Sequence, residues 1–391
     1  MRRLLVLVLS LLAVAAVLLS SFQLCNIFDA TPPEGFYFGV SCGAKTVSEA
    51  KVLIDKVKDY TNFLIVNSWE LDINETALTE VCDYAADAGL SFVVFFDFIS
   101  LKIEEGYPWH GDWVTSAGER WGDKFLGIYI YEEPGGRQID MGKFDGLVHE
   151  RQHIFDNLST YDEAAEVFVR ELPLGYSFYF LEMNNITRVV SDYALYWFDY
   201  LAGYDTVYVE LGWNHSTPQH IGLCRGAATT QGRDWGSIIV WNSQEANSSS
   251  IKSGAEMYED MITSYETGAK YVIVFNHDQF ADEPNPYGTL TQEHFDAMKR
   301  FWVYASEHPY DWGKIQANAA FVLPHNYGWG MRNPEDKIWG LVPADDNSAL
   351  IWSNMNKLID MYGLQLDIVY EDSRFSYENY DTVYYWNATI N

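Results

Sequence analysis

Basic residues are scarce in this chain. Lys and Arg number 25 against 55 Asp and Glu in 391 residues, a formal net charge of −30. Nucleic acid and anionic lipid are held by clustered cations, so this balance argues against both as partners and describes an acidic, well-solvated surface. Cysteine is nearly absent as well. Cys25, Cys42, Cys82 and Cys224 are too few and too scattered for a disulfide framework or a zinc site, and they read as small core residues. His110, His153, His277 and His325 lie far apart, and the chain carries no HExxH, no G-x-S-x-G elbow and no P-loop. No metal and no cofactor is expected.

Apolar residues are plentiful. Hydrophobic content is 48% with 20% charged residues, which places the chain among globular proteins, and the length holds one large barrel plus a smaller domain. Aromatic content is 16%. Many of these rings fall at strand ends and in loops, where they stack on apolar sugar faces or act as amphipathic anchors.

Met1-Arg2-Arg3 precedes an almost uninterrupted apolar run from Leu4 to Phe22, close to the length that spans a bilayer. Residues 1–24 are expected to be a signal peptide or, preferably, an uncleaved signal anchor with the arginines inside. The chain is then extracellular or at the cell surface, touching the membrane through this segment. Sequons at Asn74, Asn157, Asn185, Asn214, Asn247 and Asn387 fit an exported protein. Residues 25–35 read as a linker.

From residue 36 strand-like and helix-like segments alternate. Strands are expected at Phe36–Cys42, Asn62–Ser68, Ser91–Asp97, Phe125–Glu133, near Ser191-Asp192, at Thr206–Leu211, Gly236–Trp241 and Lys270–Asn276. Helices are expected at Val47–Tyr60, Thr76–Ala88, Tyr161–Val169, Tyr193–Leu201, Ile251–Thr267 and Gln292–His308. A loop-rich stretch is expected around Trp109–Trp121, and an aromatic hairpin around Tyr176–Leu181. Eight such βα units imply parallel strands closed into a (β/α)8 TIM barrel over residues 36–312. The pattern restarts at 313–391 as a small α/β module, with strands at Ala319–Leu323, Leu366–Tyr370 and Asp381–Tyr385 and a helix at Ser348–Tyr362. Its aromatic loop Asn326–Arg332 is expected at the barrel rim.

Two strands end in carboxylates. Side chains alternate along a strand, so in Ile128–Glu133 the residues Tyr129, Tyr131 and Glu133 share one face. In Thr206–Leu211, Tyr208 and Glu210 share one. With the aliphatic faces under helices, Glu133 and Glu210 point into one interior at the strands' carboxyl ends, where barrel enzymes keep their chemistry. Glu133 is expected to be a general acid and Glu210 a nucleophile or general base. The alternatives are a turn or N-cap carboxylate for Glu133 and an ion pair with Arg225 for Glu210. Glu132, expected to face outward, is held in reserve. Asp97 and Asp192 end strands and are read as substrate ligands or caps, Trp241 as a sugar platform or core ring, and Asn276 and His277 as substrate ligands. Trp69, Trp213 and Trp329 are loop platforms.

On these residues the chain resembles a (β/α)8 glycoside hydrolase. The turn Tyr131-Glu-Glu-Pro-Gly-Gly136 stands where many such enzymes keep an acid/base glutamate, and the C-terminal module is similar to the Rossmann-like domain that follows the barrel in some beta-galactosidases. The resemblance implies paired-carboxylate hydrolysis of O-glycosidic bonds in a carbohydrate substrate. It also sets a departure: strand seven ends in Trp241-Asn242 with no carboxylate before Glu245, and Tyr131 replaces the Asn of an Asn-Glu pair. An inactive barrel that binds envelope glycans, or a structural envelope protein, are the alternatives.

Overall fold

The computed structural model describes residues 31–96, 109–142, 158–171, 176–212, 215–239, 242–245, 248–250, 252–276, 285 and 287–390. The proposed anchor, Asp97, Trp213, Trp241 and His277 lie outside them. Among the described residues no helix is long and apolar enough to cross a membrane.

Eight parallel strands close into a barrel. In chain order they are β1 Tyr37–Cys42, β2 Phe63–Val66, β3 Ser91–Phe95, β4 Phe125–Tyr129, β5 Arg188–Asp192, β6 Thr206–Leu211, β7 Asp234–Ile239 and, after a hairpin of β8 Asn242–Glu245 with β9 Ser248–Ser250, β10 Tyr271–Val274. β1 pairs with both β2 and β10, which closes the ring. Runs such as Phe63-Leu-Ile-Val66 and Tyr271-Val-Ile-Val274 are buried along their whole length, as strands packed on both faces require.

The barrel interior is filled by aromatic rings below its mouth. Tyr37 stacks on Tyr271 with centroids 4.9 Å apart, Tyr208 meets Tyr271 at 5.5 Å and Tyr129 at 6.3 Å, and Phe95 meets Tyr129 at 4.7 Å. Tyr208 and Tyr271 face each other across the intervening β7, where Gly236 makes room. A Cβ on Gly236 would stand 2.7 Å from the Tyr271 Cβ and 2.8 Å from Tyr208 Cδ1. These contacts fix the face of each strand: Tyr129 and Tyr208 are inward.

Two stretches differ from their expected form. Trp109–Trp121 is a helix, not loop, because Trp113, Ala117 and Trp121 recur every fourth residue and bury one stripe. Tyr176–Met183 is also a helix and not a hairpin. Its aromatics favour strands by type, but Phe178 and Leu181 are buried while Tyr179 and Met183 are exposed, which is helical spacing. Between β6 and β7 runs the helix Thr217–Gln231.

The second sheet is parallel, in the order β12 Leu366–Tyr370, β11 Ala319–Leu323, β13 Thr382–Tyr385. The helix Asp346–Tyr362 connects β11 to β12 and opens on a capping box of Asp345 and Ser348. This sheet shares the barrel helix Thr217–Gln231 as its other layer. Gly222 and Gly226 of that helix lie against β12, where Cβ atoms would come 2.7 Å from the Leu366 oxygen and 3.0 Å from the Ile368 oxygen. Every residue from Gln219 to Ala228 is accordingly buried.

Candidate active site at the mouth of the barrel

The site forms on three neighbouring strands, β4, β5 and β6. On β6, Glu210 follows the inward Tyr208 by two residues and is itself inward and buried. Ser191 of β5 donates from its Oγ to Glu210 Oε1 at 2.8 Å, and the Tyr129 hydroxyl lies 2.6 Å from the same Oγ. With the serine proton committed to the carboxylate, Tyr129 donates to serine, so a chain of two hydrogen bonds ends on Glu210. Burial and the nearby charges of Glu132, Glu210 and Glu133 hold the Tyr129 phenol well above its usual range, so it stays a donor.

Glu133 arrives by another route than strand alternation. β4 stops at Tyr129, and both Tyr131 (φ 60°) and Glu133 (φ 52°) are left-handed. Such residues cost about 1–3 kcal/mol each and persist where surrounding contacts hold them. Tyr131 turns away to stack on Phe178, with centroids 6.4 Å apart, and is not on the inward face as expected. The backbone N–H of Glu133 donates to the Ser191 oxygen at 3.1 Å, next to the residue that holds Glu210, and its carboxyl is near enough to feel the Glu210 charge. Burial first, then the Glu210 charge, then Glu132 and Asp192, push its carboxyl up to about 10, while Arg137 works in the opposite sense. At neutral pH it is a protonated acid. Glu133 occupies the N-cap position of the helix Pro134–Met141 without making a side-chain capping bond.

Capping falls to Asp192. Its Oδ2 accepts from Gly135 N at 2.6 Å and its Oδ1 from Gly136 N at 2.8 Å, Tyr193 N at 2.7 Å and Ala194 N at 3.0 Å. Burial raises this carboxyl to about 7 against the lowering effect of those N–H groups. Asp199 lies on the helix Tyr196–Ala202, and its burial, then the Asp192 charge, hold its carboxyl well above the ordinary range.

Glu132 does not simply face outward. Its side chain is 33% exposed, its carboxylate lies 3.0 Å from Arg137 Nη2, and its charge is among those that raise Tyr129. Arg137 Nε also stands 3.9 Å from Glu133. Asn276, past β10 and two strands from β6, spends its side-chain oxygen on Thr289 N at 2.9 Å and Thr289 Oγ1 at 3.1 Å. Trp69 is exposed, whereas Trp329 is buried with its Nε1 on the Asp336 oxygen at 2.9 Å and is no platform.

Arg225, the alternative partner considered for Glu210, is committed elsewhere. Arg225 Nε bonds Asp367 Oδ1 at 2.8 Å and its Nη2 bonds the Leu364 oxygen at 2.7 Å, tying the barrel to the second sheet. The aromatic loop of the C-terminal module does reach the rim. Arg332 pairs with Asp140 at 2.6 Å and with Asp336 at 2.8 Å, and Gln138 Nε2 donates to the Trp339 oxygen at 2.8 Å. The helix that starts behind Glu133 is thus braced at its far end by this loop.

Tyr129, Ser191, Arg137 and Asp199 belong to this constellation and escape a reading of the sequence. Alternation does carry a signal for two of them. Tyr129 shares the face assigned to Glu133, and Ser191 has the opposite parity to Asp192.

No family model matches the chain, and no curated protein matches it. Among solved structures it is similar to alpha-L-fucosidase isoenzyme 2 from Paenibacillus thiaminolyticus, with 11% identity and a TM-score of 0.53 over 89% of this chain and 59% of that one. This likeness shows an α/β-barrel fold. The chain spans 59% of the fucosidase's length. Weaker similarities include a catalytic module of the pneumococcal exo-beta-D-N-acetylglucosaminidase StrH (10% identity, TM-score 0.38, 72% and 84% covered). A D-psicose 3-epimerase from Clostridium cellulolyticum is comparable (12% identity, TM-score 0.38, 71% and 100% covered).

Proposed function

We propose that this protein is a glycoside hydrolase acting on O-glycosidic bonds of an extracellular or cell-surface glycan, with Glu133 as general acid and Glu210 as nucleophile or general base. The observation that carries the reading is that Ser191 of β5 holds both acids at the barrel mouth, Glu210 through its hydroxyl and the Glu133 N–H through its carbonyl, with the Glu133 carboxyl raised by burial and by the Glu210 charge. A carboxyl raised by burial and by a neighbouring carboxylate is suited to give a proton, and a neighbour that accepts a hydroxyl hydrogen bond is suited to act as base or nucleophile. Glu133 protonates the leaving oxygen while Glu210 attacks the anomeric carbon or activates a water. Two strand spacings of about 4.8 Å lie between β4 and β6, so inward-reaching glutamates can meet the spacing of about 5–5.5 Å of retaining enzymes or about 6.5–9.5 Å of inverting ones. In the retaining case, esterification of Glu210 removes the charge that most raises Glu133 after burial, and Glu133 becomes a better base for the second step. The apolar run Leu4–Phe22 supports export and an anchored location.

The test is release of nitrophenol from a panel of nitrophenyl glycosides that includes alpha-L-fucoside and N-acetyl-beta-D-glucosaminide, with the anomer of the first product read by NMR. Turnover supports the reading. A purified, folded protein with no turnover on the panel or on mixed cell-surface glycans speaks for the second reading, an inactive glycan-binding barrel. The observation favouring that second reading is β7, which brings no carboxylate to its carboxyl end (Trp235–Ile239).

The pH dependence is also specified. A general acid works while protonated, so kcat/KM is expected to hold through neutral pH and to fall as pH rises toward about 10, where Glu133 loses its proton. An alkaline limb in the ordinary carboxylate range, about 4–5, would remove Glu133 from the acid role.

A further inference from the structure

We propose that Asp192 is a positioning residue for Glu133, gripping the turn that aims the acid. This rests on the glycosidase reading for its catalytic consequence, but not for its geometry. Two adjacent residues at the end of β5 set both carboxyls. Ser191 holds Glu210 through its hydroxyl and the Glu133 N–H through its carbonyl. Asp192 holds the N–H groups of Gly135 and Gly136, two and three residues beyond Glu133.

The turn needs this grip. Tyr131 and Glu133 are both left-handed, a conformation that non-glycine residues do not keep without outside support. The fit between turn and β5 is tight enough to require glycine. A Cβ on Gly135 would lie 2.3 Å from the Ala194 oxygen, and one on Gly136 would lie 2.1 Å from Cζ of the Tyr193 ring. Asp192 is fully buried and gives its two oxygens to four backbone donors, so it acts through Glu133 and not on substrate. Asp199, also buried, feels Asp192, and burial followed by the Asp192 charge holds its carboxyl well above the ordinary range.

The distinguishing variant is Asp192→Asn. Asparagine keeps one acceptor oxygen and turns an NH2 toward backbone donors, so one or three of the four bonds are lost, depending on which oxygen is replaced, while volume is conserved. With a nitrophenyl glycoside, kcat per folded molecule is expected to fall about 100-fold, the scale of a misplacement near 1 Å, with KM within about threefold. The groups facing Glu133 are Glu210, Glu132, Asp192, Arg137 and the hydroxyls of Tyr129 and Tyr193. Loss of the Asp192 charge and entry of water both favour ionised Glu133, so the alkaline limb is expected to move to lower pH. A purely structural role would lower the folded fraction and leave that limb in place.

A substrate-free measurement separates this proposal from the glycosidase reading. Infrared difference spectra of the protein against Glu133→Gln follow the Glu133 carboxyl through a pH titration. They are recorded with Asp192 intact and with Asp192→Asn. A titration moved to lower pH both by Asp192→Asn and by Gly136→Ala, which disturbs the turn but keeps the Asp192 charge, supports the positioning role even if the protein hydrolyses no nitrophenyl glycoside, which is failure of the other reading alone. A shift in Asp192→Asn alone is the missing charge acting through space and overturns it. An unmoved titration with unchanged kcat overturns it. Should Asp192→Asn not fold, Gly136→Ala disturbs the same turn from the Tyr193 side and is expected to move both readouts in the same direction.

Discussion

Glu133→Gln is expected to lower kcat/KM about 10²–10⁴-fold on glycosides whose leaving group departs only when protonated, or about 3–5 kcal/mol of transition-state stabilisation. Glutamine matches the shape of a protonated glutamic acid and donates a hydrogen bond, but it does not transfer a proton. The loss should shrink to within about tenfold on glycosides with strongly acidic leaving groups, because those need no proton. A loss equal on both substrate types would mean that the variant disturbs binding or folding and not acid catalysis. The same variant carries a stability signature. Glu133 is raised in the folded protein, so it binds a proton there that the unfolded chain releases above about pH 4.3. Its contribution is fully present below that pH and is lost as pH rises toward about 10. Glu133→Gln has no such slope. It should therefore be more stable than the wild type near pH 8, with a difference that grows by at most about 1.4 kcal/mol per pH unit. Urea unfolding near pH 5 and pH 8 reads this directly.

Arg225→Ala is expected to cost about 3–5 kcal/mol of unfolding free energy, the usual result of removing one partner from a buried ion pair. Arg225 and Asp367 are both buried, and three backbone carbonyls as well as the carboxylate take the guanidinium's hydrogen bonds. Without the arginine, Asp367 keeps only the Tyr380 hydroxyl, 2.9 Å from its Oδ2, and must take up a proton to stay buried. The loss should then be smaller near pH 5 than near pH 8. Replacing both partners by apolar residues, Arg225→Met with Asp367→Leu, should recover most of it. Since Arg225 sits between β6 of the barrel and β12, the first structure to loosen is the contact between barrel and second sheet. Hydrogen exchange in Leu366–Tyr370 would report that before global unfolding.

The two acids were legible in the sequence to different degrees. Glu210 follows from period-two alternation in Thr206–Leu211, since that strand is regular through its last residue. Alternation through Ile128–Glu133 points Glu133 inward, but β4 ends four residues earlier and the left-handed Tyr131 and Glu133 complete the path. Backbone of that kind leaves no periodic trace, although Pro134-Gly135-Gly136 marks the turn. The Arg225 partner was missed for a topological reason. Its carboxylate stands 142 residues away, on a sheet whose packing onto the helix Thr217–Gln231 no local pattern encodes. The helix Tyr176–Met183 shows residue type overridden by context, with aromatic strand formers wound so that one side is buried. The barrel itself was legible because eight buried apolar runs recur at βα spacing, a signal repeated often enough to survive errors in any one element.

The paired-carboxylate account is tested most directly by initial rates of the wild type and Glu210→Gln on one nitrophenyl glycoside, at equal folded concentration. The account predicts turnover by the wild type and a fall of at least about 100-fold in Glu210→Gln, because glutamine is neither a nucleophile nor a base. Equal rates in the two proteins would contradict it, whatever else the barrel mouth binds.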